Sequence, residues 1–317
     1  MRLGIDLGGT KTEAAVIDDD GEIIWRERLA TVQGDYAKII STIAELTAAA
    51  GHATGFAGAI GMGIPGSVSP KTGLIRGANT AVLNGKDLTQ DVADATGRAV
   101  RLANDANCFT LSEATDGAAQ GYDSVFGVII GTGCGGGLVV HGKIIAGGNG
   151  IAGEWGHTPL PWPIDYEYDG HECSCGNLGC METYVSGPAI SADYESRTGT
   201  KLTAKEITEI THLDLVAESV VQVLEDRLAR GLAQIINIFD PAAIVLGGGL
   251  SNLDRLYQNI PRKWPSLVFS DFVDTPLLKP MYGDSSGVRG AAWLWPQDEL
   301  AEAQGEQNQR QHRTKAN

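Results

Sequence analysis

The chain has 317 residues, with 39 acidic against 24 basic side chains and a formal net charge of −15. That balance argues against nucleic acid or an anionic membrane as a partner, since either asks for a basic surface. The length predicts two lobes rather than one core, and the 42 glycines, about twice the ordinary share, gather where backbone passes close to something.

The N-terminus carries Arg2 and goes directly into a strand without a secretory pattern. No apolar run approaches the roughly 20 residues needed to span a bilayer. Five cysteines, three of them in one cluster, fit a reducing compartment better than a disulfide framework. A cytoplasmic protein is expected.

In chain order, Leu3 to Leu7 reads as a buried strand running into a Gly-Gly turn, Glu13 to Ile17 as its return, and Glu22 to Arg28 as a third strand. From Asp35 the period changes: Ile39, Ile40, Ile43, Leu46 and Ala50 share one helical face, and Gly51 supplies a C-cap. Strands follow at Ala59 to Ile64, ending in Pro65-Gly66, and at Ala99 to Ala103, which delivers Asn104-Asp105 to a helix through about Gly117. This alternation predicts an α/β lobe with a mixed sheet.

The second half repeats the theme. Ser124 to Ile130 is a strand, then Gly131 to Gly137 a turn, then Leu138 to His141 a return strand. IDLGGTK and IIGTGCG are thus two similar strand–turn–strand units, which suggests an internal duplication. Leu215 to Ile238 is a long amphipathic helix stopped at Asp240-Pro241. Ala243 to Leu246 is a strand, Gly247-Gly248-Gly249 the loop after it, and Ser251 or Asn252 the cap of the next helix. A last helix, about Ser286 to Trp295, crosses back to the first lobe, and the polar stretch 298–317 reads as a disordered tail.

The densest chemistry lies at mid-chain, where GEWGH is followed by CSCGNLGCME. Cys173, Cys175 and Cys180 with His157 supply four ligands, enough to close a tetrahedral Zn²⁺ site. Four protein ligands leave no position for substrate water, so the metal would shape a loop and do no chemistry. His171 is the alternative fourth ligand, and a redox pair or plain reduced thiols the alternative use of the cysteines. The neighbouring Glu154 and Glu182 would be held rigidly, which suits a polyol.

Asp6-Leu7-Gly8-Gly9-Thr10-Lys11 lacks the spacing of a Walker loop. A Gly-Gly hairpin still lets backbone N–H groups approach phosphate oxygens. Thr10 and Lys11 add a hydroxyl and a charge, and Asp6 suits Mg²⁺ held through water. Gly131-Thr132-Gly133 is the opposing hairpin, so that the two grip a triphosphate. Gly247-Gly248-Gly249 either lets adenine and ribose lie against backbone or is a tight connection without a ligand. Asp105, at a helix start, is either a plain N-cap or a catalytic carboxylate.

These residues resemble the ROK family of repressors and sugar kinases, over Gly4 to about Trp295. Within it, GMGIPGSVSP, RLANDANC, GNGIAGEWGH and GDSSGVRGAAWLW look most like the bacterial fructokinases, including those that also take mannose. The resemblance implies the two-lobed actin/hexokinase/Hsp70-like ATPase fold, an α/β architecture of duplicated ribonuclease H-like domains. Residues 1–105 would form the small lobe with the last helix, about 286–297, packed back on it. Residues 106–285 would form the large lobe carrying the zinc segment 154–182.

The resemblance further implies ATP·Mg²⁺ and a hexose in the cleft, structural Zn²⁺, and a homodimer. Asp105 becomes the general base for the 6-hydroxyl, because Asn104-Asp105 matches the family's catalytic pair. Asn104, Asp105, Glu154, His157 and Glu182 would hold the sugar, with Gly66 and Asn79 on the opposite wall. Fructose is the expected acceptor, with mannose and glucose beside it, and glucokinase or N-acetylhexosamine kinase activity the alternative. One departure bears on that wall: ANTAVLN carries Val82 and Leu83 where many members place a tryptophan. A sugar-sensing regulator is the non-enzyme alternative, and the acidic charge argues against a DNA-binding one.

Overall fold

The computed structural model describes residues 1–296 and 299, the Asp284 side chain excepted. The expected tail therefore lies outside the described residues, Glu299 apart. The first half runs β1 (Arg2–Leu7), β2 (Lys11–Ile17), β3 (Ile23–Ala30), α1 (Tyr36–Thr54), β4 (Ile60–Ile64), β5 (Ser67–Val68), β6 (Ile75–Arg76), α2 (Leu88–Thr96) and β7 (Val100–Asn104). The connection and the second sheet follow as α3 (Asp105–Thr115), β8 (Ser124–Ile130), β9 (Cys134–Val140) and β10 (Lys143–Ile144). After the cysteine-rich segment come α4 (Glu182–Val185), α5 (Gly187–Thr198), α6 (Ala204–Glu209), α7 (Leu215–Phe239), β11 (Ala243–Gly247), α8 (Leu256–Asn259), β12 (Leu277–Leu278) and α9 (Ser286–Ala292).

The two five-stranded sheets have the same plan. The first is ordered β3-β2-β1-β4-β7 and the second β10-β9-β8-β11-β12. In each, a three-stranded antiparallel meander is extended by two parallel strands. The duplication read from the two glycine hairpins thus extends to whole sheets, which is the fold class expected. Parallel extension requires crossovers, which contain α1 and α2 in the first half and α7 and α8 in the second.

α3 and α9 lie between the sheets, and small residues make that possible. A Cβ on Gly290 would fall 1.7 Å from the Cys108 carbonyl oxygen, and one on Gly61 1.8 Å from that of Ala291. On the other side of α3, a Cβ on Gly127 or Gly137 would come within 2.0 or 2.4 Å of Thr110 Oγ1. Backbone therefore packs on backbone, and α9 does pack against the first sheet. Buried Glu113 on α3 fastens the approach to α9, accepting hydrogen bonds from the Met281 N–H (3.0 Å) and the Ser286 hydroxyl (2.7 Å).

Three local expectations are corrected. Helix α1 ends at Gly55, in the left-handed conformation with φ 75°, and not at Gly51, whose carbonyl accepts the Gly55 N–H. Gly51 alone does not stop a helix that His52, Ala53 and Thr54 can continue. Strand β9 begins at Cys134 and not Leu138, because Gly135 to Gly137 pair with β8 to keep the sheet close to α3. Ser251 and Asn252 do not cap a helix; their side chains turn back to the carbonyls of Gly248 (2.7 Å) and Gly249 (3.1 Å).

Candidate active site

The first glycine hairpin joins β1 to β2, closed by the Gly8 N–H donating to the Lys11 carbonyl at 2.9 Å. The end of β3 steadies it: Thr31 Oγ1 donates to the Gly8 carbonyl and Gln33 Nε2 to that of Gly9. Gly9, Thr10 and Lys11 are exposed at its tip. Asp6 lies at the base of this hairpin. Enclosure by protein pushes its carboxyl up to about 7, with the negative charges of Asp105 and Glu13 adding to the shift and Lys11 and Arg28 opposing it.

Asp6 has a neighbour that the sequence reading missed. A Cβ on Gly287 would stand 2.9 Å from Asp6 Oδ2, so the first turn of α9 closes over the carboxylate. The signal was the G-x-x-G spacing of Gly287 and Gly290 in the last motif.

Asn104 is the N-cap of α3, its Oδ1 accepting the Ala106 N–H at 2.9 Å, and Asp105 is the first helical residue. Asp105 is thus not the plain cap. Its Oδ1 shares the Ala106 N–H at 2.8 Å. The carboxyl is open to the cleft yet walled by protein, and that desolvation raises its pKa against the lowering hydrogen bonds from Ala106 and Asn104, with Glu154 adding to the rise. Asn104 Nδ2 donates to the Gly66 carbonyl at 3.1 Å. Gly66 has φ 78°, and a Cβ there would strike the Arg76 carbonyl oxygen at 2.5 Å. Gly66 therefore walls Asn104 on one side, packed against the loop after β6 that carries exposed Asn79.

The loop carrying Glu154 reaches that wall from the second sheet. Arg76 on β6 donates to the carbonyls of Asn149 and Gly150. Trp155 is buried and its indole N–H donates to the Gly135 carbonyl at 3.0 Å, fixing the short turn Trp155–His157 against β9. Glu182 opens α4, and its Oε2 accepts the Cys134 N–H at 3.0 Å.

His157, Cys173, Cys175 and Cys180 converge, with one ligand atom from each all within 4.8 Å of one another. His157 Nδ1 is 3.4 Å from Cys173 Sγ, and Cys175 Sγ is 3.6 Å from Cys180 Sγ. Ligand atoms at the corners of a Zn–S tetrahedron stand roughly 3.8 Å apart, so the donor set fits Zn²⁺. His171 is elsewhere, its ring packed on Tyr184 with centroids 5.3 Å apart. The same segment is anchored without metal by buried Glu167, which pairs with Arg227 at 2.8 Å and Arg230 at 2.9 Å on α7.

A cavity of about 760 Å³ lies beside the second hairpin, lined by Gly131, Thr132 and Gly249. Its other walls come from α5 and α6, among them Gly187, Pro188 and Ala204, which the sequence reading did not single out. Gly187 donates its N–H to the Gly131 carbonyl at 2.7 Å, tying α5 to the hairpin. Gly133 sits against Glu182, where a Cβ would stand 2.7 Å from Oε2. Gly247 does not face the cavity: it is buried at the end of β11 against the Phe109 ring. Gly248, with φ 80°, packs on Ile130.

A family model described as the ROK family matches residues 2–298. An N-acetyl-D-glucosamine kinase of Haemophilus influenzae (strain 86-028NP) is 39% identical over 307 residues, covering 93% of this chain and 99% of its own. An enzyme of the same description from Pasteurella multocida (strain Pm70) is 41% identical over 302 residues, with 93% and 99% covered. Among solved structures, a ROK family glucokinase from Streptomyces griseus in complex with glucose and AMPPNP superposes with a TM-score of 0.77 at 29% identity, covering 95% of this chain and 99% of that one. The expected likeness to fructokinases is corrected by these relatives, which are described as N-acetyl-D-glucosamine kinases. Among the described residues, no helix is long and apolar enough to cross a membrane.

Proposed function

The chain belongs to the ROK family, and on that premise we propose that it is an ATP-dependent kinase acting on the 6-hydroxyl of an N-acetylhexosamine, with N-acetyl-D-glucosamine preferred. The observation that carries the reading is the Asp105 carboxyl, presented at the start of α3 beside Asn104 and raised in pKa by its enclosure. Phosphoryl transfer through a loose transition state needs an aligned proton acceptor more than a strong base. A carboxylate of raised pKa takes the proton more readily than an ordinary one.

In this reading Asp105 accepts the 6-hydroxyl proton as that oxygen attacks the γ-phosphorus. Asn104, Glu154 and Glu182 hold ring hydroxyls, with Gly66 and Asn79 opposite. His157 has Nδ1 turned to the thiols, so its Nε2–H is left for the sugar. The two hairpins, Gly8 to Lys11 and Gly131 to Gly133, offer N–H groups to the phosphates, and the cavity beside Gly249 takes the adenosine. Asp6 would hold Mg²⁺ through water, and the ion would neutralise charge on the β- and γ-phosphates. Residues 1–105 and 106–285 act as lobes whose closure excludes water.

The test is ATP-dependent phosphorylation of N-acetylglucosamine, N-acetylmannosamine, glucose, mannose and fructose by wild type and Asp105→Asn. The reading requires the highest kcat/KM on N-acetylglucosamine. It also requires a loss of kcat of about 10³-fold in the variant with sugar affinity retained. Preference for fructose or glucose would overturn the acceptor, and turnover near wild type in Asp105→Asn would overturn the base.

A further inference from the structure

We propose that Arg76 is a positioning residue that clamps the two walls of the sugar site together, by holding the loop before Glu154 against the β5–β6 hairpin. This rests on the sugar kinase reading and adds to it the contact that keeps water from the phosphoryl group.

The two walls come from different sheets. Gly66, whose carbonyl accepts Asn104 Nδ2, leads from β4 into the β5–β6 hairpin, where Ser67 pairs with Arg76. Glu154 ends the loop that follows β10. A cavity of about 390 Å³ separates them, with Ser67, Val68 and Asn104 on one side and Gly150, Ala152 and Glu154 on the other. The sides meet at the tip of the loop, where Arg76 Nη2 donates to the Asn149 carbonyl and, at 3.3 Å, to that of Gly150. The approach is close: a Cβ on Gly150 would stand 3.2 Å from Pro70 Cδ and 3.4 Å from the Val68 carbonyl oxygen.

The loop is shaped to be held at both ends. At its root a Cβ on Gly153 would lie 2.2 Å from the Gly136 carbonyl oxygen, so the backbone is seated on β9. Within it the Gly150 N–H donates to the Gly147 carbonyl and the Ala152 N–H to that of Ala146, both at 3.1 Å. The Glu154 N–H then donates to the Ile151 carbonyl at 3.2 Å, so Glu154 follows the loop's position. Ala146, Gly147, Gly148 and Asn149 are exposed, which leaves the tip few packed neighbours and makes it depend on Arg76. A cationic donor to carbonyl oxygens is stronger than a neutral one, and a guanidinium keeps its charge throughout the working pH range.

With the tip held, Glu154 stays opposite Asn104 and the sugar is enclosed. With the tip released, the walls part and water reaches the cleft. Water then takes the γ-phosphoryl group in place of the 6-hydroxyl, giving ADP, inorganic phosphate and a proton.

The test compares wild type, Arg76→Lys and Arg76→Ala. It reads hydrogen exchange of the 146–154 amides, and initial rates that count ADP and sugar phosphate separately with the best acceptor of the wild type. Arg76→Ala should speed exchange at Gly150 and Ala152 at least tenfold. It should also raise the sugar KM at least tenfold and the ADP formed per sugar phosphate at least twofold. Arg76→Lys keeps the charge without the fork and should fall between. Exchange unchanged in Arg76→Ala overturns the clamp, and so does faster exchange with the KM or the ADP ratio at its wild-type value. Should Arg76→Ala fail to fold, Gly150→Ala loosens the same contact from the other side and is read in the same way. Wild type inactive on every hexose and N-acetylhexosamine overturns the kinase reading first and this inference with it, whereas active wild type with unchanged variants overturns the clamp alone.

Discussion

Glu182 Oε2 accepts the backbone N–H of Cys134 at 3.0 Å, joining the residue two places after the last cysteine ligand to the second glycine hairpin. One carboxylate therefore touches both halves of the chemistry assigned to this cleft. Glu182→Gln keeps an amide oxygen that can accept the Cys134 N–H, while Glu182→Ala removes it. The alanine variant should raise KM for the sugar about 10- to 100-fold and also raise KM for ATP. The glutamine variant should raise the sugar KM with the ATP KM near wild type. Initial-rate kinetics with each substrate varied checks the split.

Asp6 links function to stability with a definite sign. Its carboxyl is pushed up to about 7 in the fold, chiefly by desolvation and then by Asp105 and Glu13, against an ordinary value of 3.8. A raised folded-state pKa means that protonation favours the fold, so this contribution is fully present below pH 4 and is lost as pH rises through 7. Asp6→Asn carries no charge and should stabilise the ligand-free protein at pH 8, on the order of 1–2 kcal/mol once screening in the open cleft is allowed for. The gain should shrink steadily as pH falls toward 4. Thermal unfolding of both proteins at pH 5 and pH 8 reads it. The same variant should lose at least 100-fold in kcat if Asp6 holds Mg²⁺.

How much of this could be read from the chain alone depends on whether a residue announces its chemistry. Asp6, Gly8, Gly9, Asn104, Asp105, Glu154 and the four metal-type ligands sit in short motifs, and periodicity places the strands that carry them. Gly187 and Ala204 belong to the same cleft but have no signature of their own, and Gly287 has only the G-x-x-G spacing it shares with Gly290. They reach it because α9 crosses back to the first sheet and α5 docks on Gly131, and neither approach is visible from local sequence. Gly247 shows the opposite failing: it stands in a conspicuous triple-glycine run, yet its lack of a side chain serves Phe109 packing. A glycine shows that backbone is close to something without showing what. The acceptor was the least legible part, since no residue of the quoted motifs distinguishes one hexose from another.

Removing the metal should separate the sugar wall from the nucleotide side. The Cys175 thiol is the exposed member of the four-ligand cluster, and Asn177 Nδ2 donates to it at 3.5 Å. Cys175→Ser or prolonged chelation should lower zinc from one equivalent toward none and lower Tm by several degrees, because the ligand-free loop loses its cross-link. The Glu167–Arg227–Arg230 anchor persists, so α7 and the cavity beside Gly131 stay formed. The expected outcome is a rise of 10-fold or more in the sugar KM with the ATP KM changed less than threefold. Metal analysis together with two-substrate kinetics tests it, and equal loss on both substrates would show that the loop supports the whole cleft.

Gly290 tests the crossing that brings Gly287 to Asp6. A Cβ there would lie 1.7 Å from the Cys108 carbonyl oxygen, an atom of the α3 backbone that cannot swing aside as a flexible side chain would. Gly290→Ala must push α9 away from α3 or bend one of them, which should cost about 2–4 kcal/mol in unfolding free energy. Gly283, with φ 53° and nothing within 4 Å of where its Cβ would stand, serves as the control: alanine there strains a turn without prying the helices apart. Urea unfolding should therefore show a larger loss at Gly290 than at Gly283. Since α9 also covers Asp6, the Gly290 variant should lose kcat beyond its loss of folded fraction, measured at a temperature where it remains folded.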